Sequence, residues 1–259
     1  MEVIQGNVYD YPEYYDILFG ADWKDEIRFL KACFKRFVDH PVQNIFEPAC
    51  GTGRLMYHLA QQGYNVSGND LNRAAVDYCN RRLAENGFPP TAMVGDMSDF
   101  RLAELQDAAF NTINSFRHLP DEKSALGHLR CMAEALVSGG IYVLGLHLTP
   151  STPSVCQQEQ WQARRDGIRV DSEMWVENLD RDERKEHIAF QVTAKSNNRK
   201  VQVDDRFVFR TYSCDEMAEL IGKVPEFEIV ETYDFSYKID KPVCVDCESE
   251  DIIYVLRKR

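Results

Sequence analysis

Apolar positions along the chain keep two rhythms in turn. Residues 22–37, DWKDEIRFLKACFKRF, repeat apolar side chains at helical spacing, and Pro41 follows the segment. QNIFEPA then reads as a buried strand, TGRLMYHLAQQG as a helix stopped by Gly63, NVSGND as a second strand, NRAAVDYCNRRLAENG as a helix ending at Gly87, and PTAMVGDM as a third strand. FNTINS supplies a fourth strand, EKSALGHLRCMAEALVSGG a helix, and IYVLGLHL a fifth strand that is apolar almost throughout. Strands alternating with helices of this length predict βαβ units, and hence a parallel sheet covered on both faces.

After TPSTPS the rhythm changes. DSEMWVENL, KEHIAFQVTAK and KVQVDDRFVFR are three β-rich runs between charged or Asn-rich turns, which predicts an antiparallel meander. The earlier pattern resumes with the helix SCDEMAELIGKV and the strands FEIVETYDF and DIIYVLRKR. The expected fold class is α/β: a doubly wound, seven-stranded, mostly parallel sheet of Rossmann-like form, with a small antiparallel β insert after the fifth strand. Residues 1–150 form an N-terminal lip and cofactor-binding core, residues 151–210 the insert that covers a substrate, and residues 211–259 a C-terminal helix and two strands that complete the core sheet.

Composition narrows what this architecture serves. The 259 residues are 44% hydrophobic and 28% charged, as in an ordinary globular chain, and no apolar run approaches the roughly 18 residues of a membrane span. A formal charge of -12 opposes a phosphate backbone, so no nucleic acid and no membrane is expected as partner. The start, MEVIQGNVYDYPEYYD, has neither a basic opening nor an apolar stretch, which predicts a cytoplasmic chain. Eight irregularly spaced cysteines then read as free thiols. The C-x-x-C at Cys244 and Cys247 lacks the second pair that a zinc site needs, and no metal is expected.

The candidate chemistry lies in EPACGTG, at the end of the first core strand. Gly51 and Gly53 permit a backbone bend and a close ligand, and the helix that follows aims free N–H groups at the same space. A dinucleotide fingerprint would want a third glycine where Met56 stands. Shifted in register, the run becomes E-x-A-x-G-x-G, and FEPACGTGRL resembles the first motif of the class I S-adenosylmethionine-dependent methyltransferases, with Ala49 in place of the first glycine. The resemblance continues in chain order through VSGNDLN, VGDMSDF, INSFRHL and LVSGGIYVLGL. It implies S-adenosyl-L-methionine as cofactor: Glu47 near its amino-acid end, Ala49, Gly51 and Gly53 beneath it, Asp70 on the ribose hydroxyls with Leu71 alongside, and Asp96 and Met97 at the adenine. Asn114 and Tyr9 complete the expected cofactor set.

Transfer of a methyl group is an in-line displacement in which positioning does most of the work. Three places are expected to line the acceptor. The segment YDYPEYYDILF, with Tyr9 and Tyr14, resembles the tyrosine-bearing segment that folds over the cofactor in small-molecule N-methyltransferases. NSFRHL resembles the S-x-x-H-L stretch of sugar-amine methyltransferases, which makes His118 a catalytic candidate, and His147 at the fifth strand's end is a second. Arg206, Arg210, Trp161 and Trp175 in the insert are left open as acceptor contacts, and Ser213 with Glu216 reads as a helix capping box. No Asn/Asp-Pro-Pro-aromatic motif follows the fourth strand, which disfavours amines of bases. The expected activity is methyl transfer to N or O of a small-molecule acceptor, with a non-catalytic cofactor-binding sensor or a nicotinamide-dependent oxidoreductase as alternatives. A homodimer is left open.

Overall fold

The computed structural model describes residues 2–152, 158–197 and 199–259, so that Cys156 lies outside the described residues. Its strands are β1 (Glu2–Gln5), β2 (Asn44–Pro48), β3 (Asn65–Asp70), β4 (Ala92–Val94), β5 (Gln106–Asn111), β6 (Leu136–His147), β7 (Gln158–Arg165), β8 (Ile168–Asp180), β9 (Lys185–Lys195), β10 (Lys200–Arg210), β11 (Phe227–Tyr233) and β12 (Asp251–Lys258). Six α-helices accompany them: α1 (Pro12–Phe19), α2 (Lys24–Phe37), α3 (Arg54–Ala60), α4 (Arg73–Glu85), α5 (Glu122–Ala135) and α6 (Cys214–Gly222).

Seven strands form the main sheet in the order β11-β12-β6-β5-β2-β3-β4. β2 pairs in parallel with both β3 and β5, and only β12 runs against its neighbours β6 and β11. The chain leaves β2 toward β3 and β4, then crosses to β5 on the other side. The order therefore reverses at the tip of β2, the place where open α/β sheets hold ligands.

Alternation along each buried strand builds the two faces of this sheet. Ile141, Val143, Ile253 and Val255 face the cluster under α2, α3 and α4, while Tyr142, Leu144, Ile252 and Tyr254 face α5 and α6. The helices carry their own end signals. α2 has Asp25 and Glu26 in its first turn and Lys35 and Arg36 in its last, which suits the helix dipole. Asn72 caps α4 and Asp121 caps α5, and Ser213 with Glu216 closes a capping box on α6 as the sequence indicates.

The second sheet has five strands, in the order β1-β10-β9-β8-β7. The sequence reading found three of them. β7 escaped because, as an edge strand, it is largely solvated, yet the Asp166-Gly167 pair that joins it to β8 has φ of 51° and 80°, the two positive values of a tight hairpin turn. β1 comes from the expected lip of the core and pairs in parallel with β10, from Glu2 opposite Val201 to Gln5 opposite Asp204. This cover sheet packs α1 and the N-terminal tyrosines around Val170, Phe190, Val192 and Val203.

Two boundaries also move. The fourth core strand is Gln106–Asn111, earlier than FNTINS, because its centre is the small pair Ala108 and Ala109, poor strand signals that fit where both faces are buried. The fifth begins at Leu136, so the α5 helix is five residues shorter than expected. Among the described residues no helix is long and apolar enough to cross a membrane.

Candidate active site

The bend after β2 is made by three left-handed positions with one residue between each: Ala49 at φ 50°, Gly51 at 53° and Gly53 at 68°. Ala49 adopts a conformation that an L-residue normally avoids, which explains why a glycine suits this place. At Gly53 the requirement is also steric, since a Cβ would lie 2.2 Å from Cys79 Sγ on α4. A Cβ on Gly51 would meet nothing within 4 Å, so the turn faces open space.

Asp70, at the tip of β3, orients that turn. Its Oδ2 accepts the Gly51 N–H at 2.8 Å and its Oδ1 the Asn72 N–H at 2.8 Å. Burial raises its carboxyl pKa, and these two bonds oppose the rise. Leu71 beside it is 70% exposed, an apolar surface at the strand tip. Asp96 holds the N–H and hydroxyl of Ser98 through Oδ1, and the buried Met97 gives its carbonyl to His128 Nδ1 at 2.9 Å. Since a carbonyl only accepts, that nitrogen carries the proton, and Nε2 accepts from Tyr142 Oη at 2.8 Å.

The residues present fit an adenosyl amino acid. Glu47 at the end of β2 has a buried Oε2 with no hydrogen-bond partner, and burial lifts its carboxyl well above the usual range while Arg54 opposes the rise. An orphaned acceptor of this kind suits an ammonium group. Gly51 leaves the floor open, and Asp70 keeps lone pairs free for hydroxyls.

The acceptor candidates divide. Tyr9 and His118, 109 positions apart, meet with Oη and Nε2 at 3.2 Å. His118 stands on a short 3-10 helix, Ser115–His118, its ring 4.8 Å from Phe209 and 5.3 Å from Phe207. Burial, then the charge of Arg117, lowers its pKa to about 4. Burial also pushes the Tyr9 phenol well above its ordinary value, helped by Tyr15, Asp205 and Asp70. Both members of the pair are therefore uncharged at neutral pH.

Tyr14 goes elsewhere. It stacks on Tyr11 at 6.0 Å and packs against the cover sheet. Its neighbour Tyr15 lies 5.3 Å from Tyr9, feels Arg54, Asp70 and Glu26, and is raised by burial to about 12. Pro12 starts α1 and sets the phase that puts Tyr15 and Phe19 together, 4.8 Å apart. His147 contacts Asp251 Oδ1 through Nδ1 at 2.5 Å on the open rim, where its ring meets Phe235. Asn114, at φ 54°, accepts the His147 N–H through Oδ1 at 3.1 Å and thereby braces the turn that carries His118.

Two further residues shape the site without having been singled out. Glu26 is buried, pairs with Arg54 and accepts the Thr112 hydroxyl at 2.8 Å. An acid on the apolar face of the 22–37 helix was the available signal. Arg117, buried, donates to the Arg210 carbonyl at 3.0 Å and pairs with Glu186 at 2.5 Å, tying the His118 turn to the cover sheet. Trp161 meets Phe19 at 5.4 Å on the inner side of the cover, whereas Trp175 borders a cavity with Gln158 and Glu173, and Arg206 pairs with the partly exposed Glu177. The Arg210 guanidinium lies over Tyr212. The described cysteines are free thiols, Cys244 and Cys247 exposed among them.

Residues 45–140, which hold the bend and the tips of β3 and β5, match a family model described as a methyltransferase domain. The chain is 26% identical over 164 residues to a dTDP-3-amino-3,4,6-trideoxy-alpha-D-glucopyranose N,N-dimethyltransferase of Streptomyces venezuelae, covering 62% of this chain and 67% of that protein. Its fold is similar to a crystal structure of an S-adenosylmethionine-dependent methyltransferase from Clostridium acetobutylicum, at a TM-score of 0.76 and 18% identity over 97% of this chain and 99% of the other. It is likewise similar to the sugar N-methyltransferase KedS8 from Streptoalloteichus, at 0.74 and 18% over 98% and 94%. At these identities the structural likeness is one of fold.

Proposed function

We propose that this chain, whose residues 45–140 match a methyltransferase domain, is a class I S-adenosylmethionine-dependent methyltransferase that methylates the amine nitrogen of a small molecule held against the hydrogen-bonded pair Tyr9 and His118. Asp70 holds the ribose, Glu47 the ammonium group and the Asp96–Met97 corner the adenine. When bound, the cofactor supplies a sulfonium methyl carbon that takes up the nucleophile's lone pair as the carbon–sulfur bond breaks.

The uncharged Tyr9–His118 pair carries this reading. Tyr9 serves as an internal probe: an environment that resists ionisation of its own phenol would resist a substrate phenolate in the same place. The environment that keeps His118 neutral would favour the free base of an amine over its ammonium form. A neutral amine is nucleophilic without surrendering a proton first, so the site needs no strong base. A hydroxyl nucleophile needs one, and a histidine with a pKa near 4 is a poor one. One N–H of the amine donates to Tyr9 Oη, which keeps a free lone pair whichever way its bond to His118 Nε2 runs, and this fixes the direction of the amine lone pair. As positive charge passes to nitrogen, the rings of Tyr9, Tyr15 and Phe207 and the carboxylate of Asp70 stabilise it. The similar dimethyltransferase is named for an aminosugar, which supports nitrogen as the acceptor atom.

The test is to incubate the protein with methyl-labelled cofactor and matched panels of primary amines, phenols and carboxylic acids. Label is expected on amines alone, and Tyr9→Phe with His118→Leu should abolish it while cofactor binding persists. Transfer to a phenol at a comparable rate would overturn the choice of nitrogen.

A further inference from the structure

Asp16, next to Tyr15 on α1, has a side chain with no exposed surface and a role outside the chemistry above. Its Oδ1 accepts the Thr52 hydroxyl at 3.2 Å, in the glycine turn. Its Oδ2 accepts the Tyr78 hydroxyl at 3.1 Å and Arg165 Nη1 at 2.6 Å, and also pairs with Arg82. Arg82 Nη1 in turn donates to the Thr52 carbonyl at 3.2 Å. Gly20 closes over the group, since a Cβ there would lie 2.3 Å from the Asp16 carbonyl and 3.0 Å from Oδ1. The carboxylate thus touches the turn beneath the cofactor, the α4 helix that follows Asp70, and the end of β7 in the cover.

Arg165 is the last residue of β7 before the Asp166-Gly167 turn, and the described contacts give it no core partners other than Asp16 and Tyr78. Its side chain is 41% exposed, whereas that of Arg82 is 17% exposed. Arg82 pairs with Asp16 from the better-buried side, and Arg165 adds a second cation to the same oxygen. Arg165 is placed to report the state of the turn to the cover.

We infer that the Asp16–Arg165 contact couples the β7–β8 hairpin of the cover to the glycine turn, so that filling the cofactor site stiffens the wall of the acceptor site. Arg165 and Asp16 are positioning residues in this account, and the inference rests on the cofactor reading above. A ligand that immobilises residues 49–53 also fixes Thr52, and through it the carboxylate that Arg165 must find. The acceptor would then meet a formed pocket only after the cofactor is in place.

Hydrogen exchange with S-adenosylhomocysteine as the probe separates the two ideas. In the unmodified protein the probe is expected to slow exchange in peptides covering 49–56 and also 158–180, each by at least about threefold. In Arg165→Met the slowing at 49–56 should persist and that at 158–180 should vanish, with Arg165→Lys restoring part of it. Arg165→Met is preferred to Asp16→Ala, which would strand two arginines around an empty site. Equal protection of 158–180 in Arg165→Met and the unmodified protein would overturn the coupling, as would its absence from the unmodified protein. Lack of protection at 49–56 in both would overturn the cofactor reading, and the coupling with it.

Discussion

Replacing Asp70 with asparagine keeps the shape of the side chain and removes its charge. In the structure both carboxylate oxygens accept a main-chain N–H at 2.8 Å, one from Gly51 and one from Asn72. An amide can serve only one of them and turns its NH2 group toward the other. Hydrogen bonds to a charged partner are worth about 1.5–3 kcal/mol each, and the ribose hydroxyls would lose the same acceptor. The turn bonds exist without ligand, so their loss should appear as about 1.5–3 kcal/mol less unfolding free energy in urea. The ribose contribution should appear separately, as a dissociation constant for S-adenosylhomocysteine raised roughly 10–150-fold in calorimetric titration. A dissociation constant within threefold of the unmodified value would refute the ribose assignment, and a simultaneous loss of stability would leave Asp70 as a brace of the turn alone.

Gly53→Ala should destabilise by about 2–5 kcal/mol, from a left-handed φ of 68° and a Cβ forced to 2.2 Å from Cys79 Sγ. Urea unfolding of Gly53→Ala with and without Cys79→Ala checks it, since the second change should recover the packing part only. Acid should also weaken the fold through His118 and His128, both lowered from 6.5 to about 4, chiefly by burial. The unfolded chain takes up a proton on each below pH 6.5 and the folded chain only near 4, so their stabilisation is complete above 6.5 and lost as pH falls toward 4. Glu47, whose carboxyl is raised by burial, works in the opposite sense, so the comparison is made with His128→Gln. Between pH 7 and 5 that variant should lose about 2 kcal/mol less than the unmodified protein, and an identical pH dependence would contradict the neutral, buried histidine.

Local signals were the legible ones. The acid at the end of NVSGND, the glycines after β2 and the Ser213 capping box are set by neighbours in sequence, and the structure has them at the strand tip, the bend and the helix start. The N-terminal tyrosines show where legibility stops. Tyr14 and Tyr15 are equivalent as residue types, and only the helical phase of α1 and the arrival of the cover sheet decide which one reaches Tyr9. β1 and β7 are edge strands with mostly solvated side chains, so period-two apolar alternation is faint in them, although Asp166-Gly167 announced the β7–β8 turn. Asp16 and Arg165 are separated by 149 positions, and nothing in either neighbourhood marks the other.

The account turns on where the acceptor nitrogen sits. A crystal structure with S-adenosylhomocysteine and an amine that accepts label would measure it directly. The expected result places the ribose on Asp70 and the amine nitrogen within hydrogen-bonding reach of Tyr9 Oη, on a line with sulfur that leaves room for one methyl carbon. An amine bound at the His147–Asp251 rim, or an adenosyl group away from the bend after β2, would contradict it.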